Sequence, residues 1–180
     1  APEYSELMEQ VAKPEESKSH PKTQHDFTAK QALKTRAFWS ISISHTLTNL
    51  SVGAISSHIY FVLTDDNAVN LTDATAATII PIMALSAFGF QMLGGFAGDR
   101  INKRSLLPVL ILMQGASLVV LAQAGDYFGA LVFALIWGLG FGGRTPMLHA
   151  MRGDYFGRKH FGVILGMSAF PMAMGMMATP

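Results

Sequence analysis

The sequence predicts an all-α, polytopic membrane protein, and three observations carry that prediction. Half of the 180 residues are hydrophobic and only 14% are charged, well below the roughly 25% of a soluble domain. The charges are clumped, whereas a solvated surface needs them spread. Between the clumps lie runs with no Lys, Arg, Asp or Glu at all: Ala37 to Thr64, Ala74 to Gly98, Ser105 to Gly125 and His160 to Pro180. Each reaches the ~20 residues that cross a hydrocarbon core at about 1.5 Å per residue. A fifth run, Tyr127 to Met151, is interrupted only by Arg144. A soluble bundle of buried helices rarely holds so many charge-free runs of this length.

The elements follow in chain order. Residues 1–36 are polar, rich in Lys and Glu, and punctuated by Pro2, Pro14 and Pro21. They cannot bury enough apolar surface to offset chain entropy, so a largely disordered loop is expected. Its final stretch, Asp26 to Arg36, reads as a short helix with an Asp or Thr N-cap that leads into the first span. The spans are expected at about 37–63, 74–98, 105–124, 128–151 and 160–180. The chain opens on Ala1 and stops inside an apolar run at Pro180, which reads as a fragment of a longer protein. Cysteine is absent, so disulfides and thiol metal sites are excluded.

Topology follows from the bases. Of the 13 Lys and Arg, six precede the first span, Arg100, Lys103 and Arg104 follow the second, and Arg152, Arg158 and Lys159 follow the fourth. The opposite connections, Asp65 to Asp73 and the turn at Asp126, hold acids and no base. The positive-inside rule puts the N-terminal loop and both basic loops in the cytoplasm.

Two loops carry a pattern beyond hydropathy. Gly95-Phe96-Ala97-Gly98-Asp99-Arg100-Ile101-Asn102-Lys103-Arg104 closes the second span and turns back at once. Gly94, Gly95 and Gly98 allow a neighbouring helix to come close. Asp99 is placed to receive backbone N–H groups at a helix start or to pair with a base. After the fourth span comes Arg152-Gly153-Asp154-Tyr155-Phe156-Gly157-Arg158-Lys159, preceded by the small-residue face Gly138 to Gly143 and a break at Pro146.

The first of these loops resembles the signature loop of the major facilitator superfamily, with Asn102 where the family has glycine. Asn is the next most tolerant residue of a left-handed turn, so the departure is mild. The second loop resembles its counterpart after the fourth helix of a six-helix half. Pro2-Glu3-Tyr4 and the stretch from Phe27 to Trp39 are similar to the central loop of carriers of the oxalate/formate-antiporter and monocarboxylate type. The resemblance covers essentially the whole chain and implies helices seven to eleven of twelve in an inner-membrane carrier. It implies a secondary transporter working by alternating access around a midplane site, partnered by a missing N-terminal half and the lipid bilayer. The cargo would be a small solute, an organic anion or carboxylate being one class it could take, and a proton or counter-substrate could couple its movement. Gly95, Asp99, Arg100, Lys103, Arg104, Arg152, Asp154 and Arg158 would form the cytoplasmic loop and gate. No nucleic-acid partner, cofactor, metal or catalytic constellation is expected.

The first span is polar, with His45 and Asn49 four apart on one face and Ser56 further along it. Such a face either bonds other helices or lines the translocation cavity, as the first helix of each half does in the family. Arg144 lies about 10 Å from the cytoplasmic end of its span. Its cost in lipid, at least ~2.5 kcal/mol, requires that it face protein or water. That depth favours a gate or an ion pair with Asp99 or Asp154; direct binding would instead imply an anionic substrate. Gln91 and Gln114 are weaker candidates of the same kind. Two other classes share the hydropathy. A channel or receptor-like protein needs neither charged turn, and a membrane-embedded enzyme would need His45, His58 and His149 to converge, which their mixed depths oppose.

Overall fold

The computed structural model describes residues 26–177. Within them the chain is helical throughout: α1 (Ala29–Leu33), α2 (Arg36–Thr64), α3 (Asp73–Arg100), α4 (Lys103–Gln123), α5 (Tyr127–Phe156) and α6 (Phe161–Met177). The expected disorder of residues 1–25 and the end of the last span lie outside the described residues.

Short polar side chains start nearly every helix, by accepting N–H groups that the first turn leaves free. Thr28 and Gln31 form a capping box on α1. Thr35 accepts from Phe38 N at 3.2 Å, Asn102 from Arg104 N at 3.0 Å, and Asp126 from Gly129 N at 2.8 Å. The cap at Thr35 separates α1 from α2, where the sequence pattern suggests one helix running to Arg36. Thr35 sits at φ −90°, ψ 141°, and this extended residue breaks the run.

Asn102 also serves differently from the expectation. It is extended, with φ −62° and ψ 108°, so no left-handed turn is present. Its side-chain oxygen, not its backbone tolerance, is what the turn between α3 and α4 uses. Asp99 lies in the last turn of α3, exposed and without a partner among the described residues, so it starts no helix.

Contacts fix the directions. Thr78 meets Tyr127, Ser86 meets Ala134, and Gly94 meets Gly143, so α3 and α5 run parallel. Leu110 and Gln114 meet Gly140, and Lys103 meets Asp154, so α4 is antiparallel to α5. α5 is the central helix, with α3 and α4 along it, while α2 packs chiefly on α6. The α3–α5 approach is close enough to exclude side chains. A Cβ on Gly94 would lie 2.6 Å from Gly143 O, and one on Gly142 would strike Ala87 O. A Cβ on Gly98 would meet only side chains, Met147 at 3.4 Å and Lys103 at 3.9 Å, and Gly95 faces open space. Pro146 does not break α5, which continues to Phe156.

Among the described residues three helices, α3, α4 and α5, are long and apolar enough to cross a membrane. α2 has the length, 29 residues, but its Ser, Thr and His content lowers its apolarity. α6 is apolar but has 17 residues. The buried apolar residues fall into two clusters. One, around Leu63, Ile79, Leu121, Phe133 and Trp137, lies toward the Asp65–Asp73 end. The other, around Phe38, Leu107, Leu110, Met147 and Phe156, lies toward the basic end.

Candidate functional site

Between the two clusters each of the main helices contributes polar residues. On α5 the gap from Trp137 to Met147 contains Arg144. On α4 the gap from Leu110 to Leu121 contains Gln114 and Ser117, and on α2 the gap from Ile41 to Ile59 contains His45, Thr48 and Asn49. The apolar clusters flank this layer, and Arg144, Arg152, Gln114 and Ser117 are buried in it. A charge within it is therefore held in a medium where its hydration is gone and its electrostatics are strong.

Arg144 is fully buried. Its Nε donates to Gln114 Oε1 at 2.6 Å, and Gln114 Nε2 donates to Thr48 O of α2 at 3.4 Å. The guanidinium also lies 5.4 Å from the Phe141 ring centroid. Its Nη1 and Nη2 have no hydrogen-bond partner. The expected acids are not its partners. Asp154 pairs with Lys103 at 2.7 Å, and Asp99 is exposed beyond the level of Gly94, where α3 passes Gly143. Arg144 points into the α4 and α2 side of the bundle and both acids lie at its rim.

Arg152 departs furthest from expectation. Its sequence context places it in a cytoplasmic loop, yet it lies inside α5 and is only 1% exposed. Helical side chains lean toward the N-terminus of their helix, so its guanidinium reaches back into the polar layer. There Nη2 meets His45 Nδ1 at 2.9 Å, while Nη1 is unpartnered. The His149 ring stands edge-on to that of His45, with centroids 6.1 Å apart.

Other candidates separate from this group. Asn49 donates Nδ2 to His45 O within its own helix at 2.8 Å, and Thr46 and Thr48 likewise bond back into α2. Most of the polarity of α2 is thus spent locally, and His45 with the Thr48 carbonyl makes its cross-helix bonds. Ser56 and Gln91 are exposed and join no cross-helix hydrogen bond among the described residues. His58 is exposed and about 20 Å along α2 from His45, so two of the three histidines converge. At the rim, Arg100 covers the Phe96 ring at 4.2 Å and Arg104 covers Tyr155 at 5.0 Å. Arg158 is exposed at the α5–α6 turn.

The layer therefore gathers two buried guanidiniums, with three unpartnered nitrogens and, among the described residues, no facing carboxylate. Gln114 occupies Nε of Arg144 and leaves its two terminal nitrogens side by side, the arrangement for an end-on, two-point contact with a carboxylate. Arg152 and Gln114 are the members that hydropathy reading undervalued. The available signal was the i, i+8 spacing of Arg144 and Arg152, which an unbroken helix sets on neighbouring rows. No family model matches this sequence, and no curated protein matches it.

Proposed function

We propose that this chain belongs to a secondary active transporter that moves a small organic anion of the carboxylate class across a membrane by alternating access. The observation that carries the reading is the pair of buried arginines. An unpaired guanidinium in a low-dielectric layer is costly, and a carboxylate offers the acceptors that Arg144 Nη1 and Nη2 and Arg152 Nη1 lack within the protein. Anion binding would use that cost, because the same groups that destabilise the empty layer bind a desolvated anion strongly. Since Arg144 is enclosed on all sides, access requires α2 to move relative to α4 and α5, as alternating access demands.

The signature-like turn and its echo after Asp154 support a major facilitator superfamily carrier of the oxalate/formate or monocarboxylate type. In that reading the helices α2 to α6 answer to the first five of a C-terminal six-helix half in the inner membrane, with α2 and α6 as spans shielded from lipid by neighbours. The basic end, with Arg100, Lys103, Arg104, Arg158 and Lys159, faces the cytoplasm by the positive-inside rule.

The experiment is uptake of radiolabelled formate, lactate and oxalate by proteoliposomes containing the full-length protein, beside Arg144→Met and Arg152→Met. Saturable uptake of at least one anion, lost in both variants, is the expected result. Uptake unchanged in the variants, or confined to neutral solutes, would remove the reading.

A further inference from the structure

A guanidinium carries donors only. The 2.9 Å contact between Arg152 Nη2 and His45 Nδ1 therefore makes Nδ1 the acceptor. His45 is neutral in this arrangement, with its proton on Nε2, and Nδ1 cannot take a proton while Arg152 holds it. Arg152 and a proton are alternative partners of one nitrogen.

His45 is also connected to the exterior of the bundle. His149, whose ring stands against that of His45, lines a cavity of about 540 Å³ at the basic end together with Asp99, Asp154 and Arg158. The charged groups around the two rings come from few places. α5 supplies Arg144, Arg152 and, toward the cavity mouth, Asp154; the turn after it supplies Arg158 and Lys159, α3 supplies Asp99 and Arg100 at its end, and α4 supplies Lys103 and Arg104 at its start. His160 precedes α6, and α6 has no titratable residue; on α2 itself the others are Arg36, His58 and Tyr60, toward its ends. No carboxylate among the described residues contacts His45, so an imidazolium there would face two arginines unless an anion were present.

We propose that His45 is a proton-binding site, loaded from the basic-end cavity through His149, and that an anion on Arg152 and a proton on His45 promote each other's binding. This rests on the reading of the two arginines as an anion site. A carboxylate is the stronger acceptor for Arg152, because that bond is charge-assisted at both ends. When it draws Arg152 away, Nδ1 is exposed and the anion's charge offsets that of the imidazolium. The proton passes from water in the cavity to His149 and then to His45 Nδ1. One carboxylate and one proton enter together, so a monoanion crosses with no net charge. The linkage is reciprocal.

Isothermal titration of the purified full-length protein with formate, lactate and oxalate tests this, in two buffers of different ionisation enthalpy at about pH 6 and about pH 8. The expected result is a buffer-dependent heat equal to one proton taken up per anion at the higher pH. Affinity should weaken by about tenfold per pH unit in the range where free His45 is neutral. His45→Gln keeps an acceptor for Arg152 but takes no proton, and should bind with no proton uptake and no dependence on pH. His149→Gln should retain the equilibrium uptake and slow it in stopped-flow measurements with a pH indicator. Anion binding by the wild type without proton uptake, or proton uptake persisting in His45→Gln, overturns the proton site and leaves the anion site standing. Absence of anion binding, or binding unchanged in Arg144→Met and Arg152→Met, overturns both. The wild-type comparison of buffers decides even if His45→Gln does not fold.

Discussion

Arg144 and Gln114 belong to different helices and meet at 2.6 Å, Nε donating to Oε1, inside a layer that neither apolar cluster enters. The partner is a neutral amide, so the orientation of the arginine is fixed while its charge stays uncompensated. A carboxylate at this position would fix the orientation equally well and cancel the charge.

Gln114→Glu tests that distinction directly. It places an acid within reach of Arg144 and should stabilise the fold by about 1 kcal/mol, seen as a raised thermal midpoint in detergent, since a charge-assisted bond replaces a neutral one. The same change should abolish carboxylate binding. A Gln114→Glu protein that binds anions like the wild type would show that Arg144 does not hold them.

Arg144→Lys keeps the charge and loses the side-by-side terminal nitrogens. Affinity for carboxylates should fall by about tenfold or more, corresponding to one hydrogen bond to a charged group, and the order of preference among formate, lactate and oxalate should change. Equilibrium competition binding reads both effects.

The α3–α5 seam predicts opposite results for a glycine inside it and one beside it. Gly142→Ala forces a Cβ onto the Ala87 carbonyl and should lower the thermal midpoint and the yield of folded protein. Gly95 has nothing within 4 Å, so Gly95→Ala should be neutral or stabilise by about 0.5–1 kcal/mol through helix propensity. Thermal unfolding followed by size-exclusion chromatography distinguishes them.

Lys103 and Asp154 form a rim pair, with side chains 20% and 56% exposed. Such pairs contribute about 0–1 kcal/mol, so Asp154→Asn should change folding stability little. It should shift the balance between inward-open and outward-open states by up to about fivefold, whereas Asp99→Asn, lacking a partner among the described residues, should shift it less. Cysteine accessibility at the basic end measures the shift. A larger effect of Asp99→Asn would make Asp99, and not the Lys103–Asp154 pair, the group that sets this balance.

Much of this arrangement was legible in the residues. The long helices are visible as charge-free runs because lipid tolerates no scattered charge, and the shared face of His45 and Asn49 follows from a spacing of four. Three features were not legible, each for a physical reason. Arg152 reads as a loop base because bases flank spans, and only the continuity of α5 past Pro146 brings it inside. Pairing of Arg144 with Asp99 or Asp154 is what charge alone suggests, but the direction of the side chain sends it to α4. Asn102 reads as a substitute for glycine by backbone tolerance, while the turn uses its side-chain oxygen, which glycine lacks.

The close backbone contact between α3 and α5 has a mechanical consequence. With glycines at the contact there are no side chains to change rotamer and no interlocking shapes to slide past one another, so these helices transmit force as one beam, with α4 braced against the opposite side by Gly140. α2 leans on α6 instead, and its bonds to the beam within the polar layer are the long Gln114–Thr48 contact and the Arg152–His45 contact. Between the two apolar clusters, α2 is therefore held to the beam by few bonds, at the level where the charges are gathered. A displacement that starts there would open a polar fault line by changing a handful of hydrogen bonds, and α2 would pivot on the apolar clusters at its two ends, which hold Phe38 and Ile41 on one side and Ile59 and Leu63 on the other.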